Sequence, residues 1–349
     1  MIATKAYAAE KVSAPLAPFN FERRDVGAHD VQIEILYCGV CHSDIHQVRD
    51  EWGGSIFPMV PGHEIVGRIV KAGDHVTKFK VGDLAGIGCF VDSCRVCVNC
   101  KNNEEQYCLE GMTGTYNARE RETNAPTYGG YSTHIVVDEH YTLKVSDKLP
   151  LAGVAPLLCA GITTYSPLRH VGVTKGHKVA VLGLGGLGHM AVKFAAAFGA
   201  EVTMLSGSPS KEADAKRLGA HKFALTSDKA TMESLKGEFD FILNTVSAEH
   251  SYSTYLDLLK TNGTMIIVGI PSEPAKIPAF DLITQRKSIL GSMIGGIKET
   301  QEMLDFCAEH NIVSDVEVID INYINEAYER VLKSDVKYRF VIDINSLNK

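Results

Sequence analysis

Apolar residues alternate at Val31, Ile33, Ile35 and Tyr37, the period-two pattern of a strand with one face buried, and this strand would end in a loop at Cys41. Pro58 and Pro61 bracket a turn ahead of the apolar run Ile65 to Val70, which predicts a second strand. Further on, Gly176 to Leu182 is a short β-branched run, followed directly by Gly183-Leu184-Gly185-Gly186-Leu187-Gly188 and by a helix-like stretch from His189 to Phe198. Ala200 to Leu205 predicts the next strand, which completes a βαβ unit. Short strands at Phe239 to Leu243, Thr264 to Val268 and Ser288 to Leu290 alternate with helical stretches, so the class is α/β, with a doubly wound parallel sheet in the second half.

At 349 residues the chain exceeds what one hydrophobic core usually organises, and two domains are expected. With 45% hydrophobic and 22% charged residues the composition excludes disorder. The net charge of −7, without a Lys/Arg block, argues against nucleic acid and against a polybasic membrane patch, and leaves small molecules as the expected partners. Met1 to Lys11 lacks a basic segment followed by an apolar run, and the apolar stretch Val179 to Ala200 is interrupted by His189, Lys193 and glycines; no membrane partner and a cytoplasmic location are expected. In a reducing compartment nine cysteines point to metal or catalytic roles.

Cys94, Cys97 and Cys100 lie at two-residue gaps and Cys108 follows, interleaved with polar residues. Free cysteines usually sit in apolar segments, whereas four thiols on one polar loop can wrap a single Zn²⁺ tetrahedrally, a closed site that holds a loop and does no chemistry. Cys41-His42-Ser43-Asp44-Ile45-His46 and Gly62-His63-Glu64 form a second constellation; taken alone His63 reads more readily as a core histidine satisfied by a carbonyl, and its place at a strand end shifts the reading toward a ligand. Cys159 lies in an apolar run, where cysteine is normally inert packing, and no spacing rule makes it a ligand.

Gly183, Gly185 and Gly188 match G-x-G-x-x-G between a strand and a helix, the turn that brings a pyrophosphate onto a helix N-terminus. An acid after the second strand would accept the ribose 2′-OH of NAD; here Ser206-Gly207-Ser208-Pro209-Ser210-Lys211 offers hydroxyls and an ammonium, which favours NADP. An ordinary loop with Ser210 as the next helix's N-cap is the alternative.

Together these motifs, with Gly62-His63-Glu64-x-x-Gly67, Pro156 to Leu168, Gly291 to Glu302 and Asp335 to Asp343, resemble the zinc-dependent medium-chain alcohol dehydrogenases, specifically the cinnamyl-alcohol-dehydrogenase-like branch with its bacterial NADPH aldehyde reductases. The resemblance runs end to end. It implies a GroES-like β-barrel catalytic domain over residues 1–155, a Rossmann domain over 156–296 and a return to the catalytic domain over 297–349. It implies two zinc ions per chain, one held by Cys41, His63 and Cys159 with Glu64 as a neighbour that can replace the labile water, the other by Cys94, Cys97, Cys100 and Cys108. Three protein ligands leave one position open for the substrate oxygen. Ser43 and His46 match the proton relay, and Asp44 the carboxylate that orients His63. His42, Thr163, Gly183, Gly185, Gly186, Leu187, Gly188, Ser206, Ser208, Lys211, Ser292 and Ile294 match cofactor contacts. Relatives are usually homodimers.

One departure concerns the substrate. Plant members carry a tryptophan shortly after the fourth loop cysteine, where this chain has Met112 to Tyr116 and none; its sole tryptophan is Trp52. Trp52, Leu158 and Met112 are therefore expected to line a rebuilt pocket tolerant of aromatic and medium aliphatic aldehydes, with core packing an alternative for Trp52. Two rival classes remain: a zinc-free quinone or enone reductase, which should lack the Cys41, His63, Cys159 set, and a non-enzymatic zinc-loop module, which should not bind NADP(H). Cys38, Cys89 and Cys307 are expected to be packing.

Overall fold

The computed structural model describes residues 1–271 and 274–348. The chain divides into two compact units, one of residues 1–162 with 295–349 and the other of residues 163–294. The first boundary falls inside the helix Ala160–His170; the resemblance implies one near residue 155.

The first unit is built on a seven-stranded sheet. Its central strand, Asp30–Gly39, pairs antiparallel with Ile65–Ala72 and with His134–Asp138. Val31, Ile33 and Ile35 are buried as the alternation requires, but Tyr37 is only half-buried. The reason is a register shift between Ile35 and Tyr37, since one extra residue in a ladder resets which face each side chain takes. The C-terminal segment supplies Arg339–Asp343, which pairs antiparallel with the central strand (Val341 with Gly39, Ile342 with Cys38), and Val316–Asp320 alongside it. Ile33, Ile35, Ile65, Ile69, Ile87, Tyr131 and Phe340 fill the core between these strands.

The second unit is a parallel sheet in the order Lys222–Leu225, Glu201–Ser206, Lys178–Leu182, Phe239–Asn244, Leu259–Ile267, Ser288–Gly291. Strand order reverses beside Lys178–Leu182, the switch point where open α/β sheets bind ligands. The interior strands are apolar on both faces, as a sheet covered by helices on both sides must be, and Gly188–Ala197 buries His189, Met190, Ala191, Val192, Phe194 and Ala195. Leu259–Ile267 begins five residues before the expected Thr264, because Leu259 pairs with Phe239 across a register shift. Ser210 is not a helix cap: it lies within the 3₁₀ turn Pro209–Lys211, and the helix Glu212–Leu218 starts after it.

Candidate active site

Cys41 caps the N-terminus of the short helix His42–Val48, and Asp44 at its third position turns back to accept the Cys41 N–H at 2.9 Å. The same carboxylate, fully buried, accepts Gly62 N–H (3.2 Å), Tyr131 Oη–H (3.1 Å) and His63 Nδ1–H (3.2 Å). One side chain thereby fixes the loop that carries Cys41, the turn that carries His63, and the imidazole itself, leaving Nε2 as the free ring nitrogen. Burial works against an imidazolium at His63, but the facing Asp44 outweighs it and raises the ring well above its ordinary pKa. Tyr116 stacks on the imidazole, with centroids 5.7 Å apart.

Cys159 sits at the sharp change from the 3₁₀ turn Ala155–Leu158 to the helix Ala160–His170, and its Sγ lies 3.9 Å from Cys41 Sγ. The Cys159 thiol, with Arg339 and His63 close by, holds Cys41 well below the usual thiol range. Glu64 is fully buried and pairs with Arg339, yet Glu64 Oε2 has no partner. Burial, opposed by Arg339, pushes the Glu64 carboxyl up to about 7. Ligand atoms of Cys41, His63, Glu64 and Cys159 all lie within 4.8 Å of one another and all four residues are buried. Two sulfurs, an imidazole nitrogen and an orphaned carboxylate oxygen at that spacing suit Zn²⁺, and such a set has few other uses in a core.

Ser43 places its hydroxyl 3.6 Å from Cys41 Sγ. His46, one helical turn on, lies tilted beside the His42 ring (centroids 5.4 Å) and binds the Glu51 carboxylate through Nδ1. Trp52 lies on the His46 ring, half-exposed. Leu158 is buried against Gly86 of the barrel, and Met112 is partly buried in the loop before Thr113. Thr163 is buried on the helix that follows Cys159.

Three residues near the cluster escaped the motif analysis. Cys89 is not plain packing: unlike Cys38 and Cys307 it is only partly buried, its thiol faces the Leu158 carbonyl at 3.7 Å, and it interacts with both Cys159 and His63. Arg339 reaches Glu64 because the C-terminal strand joins the first sheet, and Tyr116 reaches His63 from the far side of the four-cysteine loop. No local spacing signals any of them.

Cys94, Cys97, Cys100 and Cys108 converge as well, with ligand atoms within 4.8 Å of one another. The short helix Val98–Lys101 starts on Cys97, and backbone N–H groups point at sulfur: Cys97 N at Cys94 Sγ (3.3 Å), Cys94 N at Cys108 Sγ (3.3 Å), Cys100 N at Cys97 Sγ (3.5 Å). The N–H groups of Cys100 and Leu109 bring the Cys97 thiol down to about 6. Amides spent on sulfur favour the thiolate at Cys97 and, against burial, at Cys108, the form a closed Cys₄ zinc site needs, whereas burial pushes the Cys100 thiol up to about 12.

In the second unit Gly183 takes φ 91°, and a Cβ on Gly188 would lie 1.9 Å from the Gly183 carbonyl oxygen, so the turn closes only on glycine. Gly185 is exposed, and a Cβ there would meet nothing within 4 Å, which leaves the backbone open to approach. Gly186 and Leu187 carry the turn into the helix that begins at Gly188. Ser206 ends the second strand, its Oγ accepting Ser208 N–H (3.2 Å), and Lys211 Nζ donates to the Leu184 carbonyl (2.8 Å). Ser206, Ser208 and Lys211 are thus gathered beside the glycine turn. Ser292 and Ile294 follow the outermost strand, Ile294 with a left-handed φ of 42°.

A dinucleotide-type sheet and a unit carrying one buried catalytic-type and one looped Cys₄ metal cluster define a metal-dependent dehydrogenase. Residues 27–147 match the alcohol dehydrogenase GroES-like domain and residues 186–309 the zinc-binding dehydrogenase domain. The chain is 58% identical to the NADP-dependent alcohol dehydrogenase C 1 of Mycolicibacterium smegmatis, over 99% of each chain, and 55% identical to the aldehyde reductase YahK of Escherichia coli, over 98% of this chain and 99% of that one. Among solved structures it is similar to a cinnamyl alcohol dehydrogenase of Sorghum bicolor (TM-score 0.95, 46% identity, 98% of each chain). A Helicobacter pylori enzyme of that type, solved with NADP(H), is similar too (TM-score 0.93, 45% identity, 99% of each chain). The chain belongs to the zinc-binding alcohol dehydrogenases, with a GroES-like domain and a Rossmann-type domain.

Proposed function

We propose that this chain is a zinc- and NADP(H)-dependent alcohol dehydrogenase that works mainly as a reductase of aromatic and medium aliphatic aldehydes. The observation that carries this is the buried convergence of Cys41, His63, Glu64 and Cys159, which a zinc-free reductase of the same fold has no reason to keep. Cys41, His63 and Cys159 hold one zinc ion, with Glu64 as the exchangeable neighbour, and Cys94, Cys97, Cys100 and Cys108 hold the other. When bound, the catalytic ion polarises the substrate oxygen and the nicotinamide exchanges hydride with the carbon bearing it. The chain's own residues do the rest. Asp44 keeps the proton of His63 on Nδ1, so that Nε2 stays a ligand. Ser43 receives or delivers the substrate proton, and His46, paired with Glu51, passes it to solvent.

NADP preference is supported by Ser206, Ser208 and Lys211 at the end of the second strand, with no carboxylate among them to repel a 2′-phosphate. Gly183, Gly185, Gly186, Leu187 and Gly188 cradle the pyrophosphate, with His42, Thr163, Ser292 and Ile294 as further contacts. Homodimer formation is supported by the outermost strand Ser288–Gly291 and the exposed Ile270, Phe280, Ile283 and Met293 of the same unit. Among the described residues no single helix is long and apolar enough to cross a membrane. The acidic net charge without a Lys/Arg block supports small-molecule partners over nucleic acid or a membrane surface, and the same reading takes the location as cytoplasmic.

Reduction of an aromatic aldehyde with NADPH and with NADH, followed by loss of reduced-nicotinamide absorbance, tests this. NADPH should be preferred by about a hundredfold, roughly 2.7 kcal/mol. Parity would remove the 2′-phosphate role from Ser206, Ser208 and Lys211. Replacing Cys159 with alanine should abolish turnover while NADPH still binds, and retained turnover would take Cys159 out of the ligand set.

A further inference from the structure

The loop after helix His42–Val48 is fixed at both ends. Asp50 takes a left-handed conformation (φ 54°), Glu51 N–H donates to the His46 carbonyl (3.0 Å), and Gly53 N–H donates to the Asp50 carbonyl (3.1 Å). At the far end Ser55 N–H donates to Asp50 Oδ1 (2.9 Å), Ser55 Oγ–H to the Gln47 carbonyl (2.6 Å) and Ile56 N–H to Asn117 Oδ1 (2.7 Å). A loop pinned this way presents consecutive residues in set directions. Glu51 turns its carboxylate onto His46 Nδ1, and Trp52 lays its indole on the face of the same imidazole, centroids 4.8 Å apart and planes 29° from parallel.

The two contacts constrain different motions. A single hydrogen bond at Nδ1 leaves the imidazole free to swing about the bond axis, which carries Nε2 through an arc. A plane lying on the ring face blocks that swing. Trp52 is 44% exposed, so the indole is not there to fill a core, and it is the only tryptophan in the chain.

We propose that Trp52 is a positioning residue for proton transfer: its indole, acting with Glu51, locks the orientation of His46 so that Nε2 takes up a proton as Nδ1 gives its own to Glu51 and solvent, and the reverse in the opposite direction of the reaction. This rests on the reading of His46 as the relay. A side chain that walled the substrate pocket would act through the size of the aldehyde instead, so kinetics separate the two roles.

The experiment uses the zinc-loaded enzyme with saturating NADPH. Trp52→Leu should lower kcat roughly five- to tenfold, the scale of one aromatic pair contact, while KM for NADPH holds. Trp52→Phe, which keeps a ring on the imidazole, should recover most of the rate. In a His46→Gln background Trp52→Leu should cost nothing further, because the group it positions is gone. Losses that multiply would overturn the proposal, and so would a change confined to KM for bulky aldehydes. The single tryptophan supplies a readout without turnover: His46→Gln should alter its emission yield, whereas His310→Gln, far away in the sequence on an exposed helix end, should not. Unchanged emission in His46→Gln would overturn the contact itself. If instead emission changes but His46→Gln turns over at the wild-type rate, the relay assignment fails and the positioning role falls with it, while the stack stands.

Discussion

Replacing Asp44 with asparagine keeps the shape of the side chain and changes only what its two terminal atoms can accept. Oδ1 takes Gly62 N–H and His63 Nδ1–H, and Oδ2 takes Cys41 N–H and Tyr131 Oη–H, all between 2.9 and 3.2 Å and with the side chain at 0% exposure. An amide turns one of these oxygens into a donor that faces donors. Whichever way it is oriented, one backbone N–H (Gly62 or Cys41) loses its acceptor, while His63 Nδ1 or Tyr131 Oη can accept from the amide instead, so the metal-free protein should lose about 1.5–3 kcal/mol of stability. With the NH₂ toward His63, Nδ1 must accept and the ring proton moves to Nε2, the nitrogen that the metal needs. With the NH₂ toward Cys41, the helix start loses its anchor and the sulfur shifts. Either outcome should weaken zinc at this cluster by about 10- to 100-fold, the usual cost of losing a group that orients a ligand. Urea unfolding of the metal-free protein measures the first effect, and competition for zinc against a chelating dye measures the second. An unfolding free energy within about 1 kcal/mol of wild type together with an unchanged zinc affinity would refute the role given to Asp44.

Cys97→Ala should release one of two zinc ions per chain and much stability, and unchanged metal content would exclude the four-cysteine loop as a site. Gly188→Ala should cripple NADPH binding, because the new methyl would collide with the Gly183 carbonyl at 1.9 Å and open the turn; dissociation constants from nucleotide titration decide it, and wild-type binding would show the turn can yield. Asp30 accepts from Gly27 N–H (2.7 Å) and from Arg24 (3.0 Å), and although burial alone would raise its carboxyl, these contacts lower it below the ordinary value. A depressed folded pKa stabilises above the unfolded value and is lost as pH falls through the folded one. Asp30→Asn should therefore cost about 1–2 kcal/mol near neutrality, a figure reduced for the solvent screening of partly exposed Arg24, and the gap should shrink as pH falls below the ordinary carboxylate value of 3.8. Thermal melts across that range test it, and a constant gap would count against the ion pair.

Much of the molecule follows from residues close together in the chain. Alternation at Val31, Ile33 and Ile35 places a strand, and the run Lys178–Leu182 with its glycine turn places a strand, a turn and a helix start within a dozen residues. Cys94, Cys97, Cys100 and Cys108 lie on one loop whose own amides point at the sulfurs. These are short-range contacts, and backbone stereochemistry is enough to set them.

What tertiary structure decided spans distances that no spacing rule reads. Cys159 meets Cys41 across 118 positions of chain because a 3₁₀ turn breaks into a helix at that cysteine. Arg339 meets Glu64 across 275 positions because a C-terminal strand pairs with the central strand of the first sheet. Tyr37 leaves its expected face because a bulge in the pairing shifts the register, and Cys89 stands beside Cys159 instead of in the core. The sequence determined the elements and the chemistry each loop carries, since those depend on side chains within a turn or two of one another. The assembly of one buried metal cluster from three segments was left to strand register and core packing, which depend on every residue they bring together.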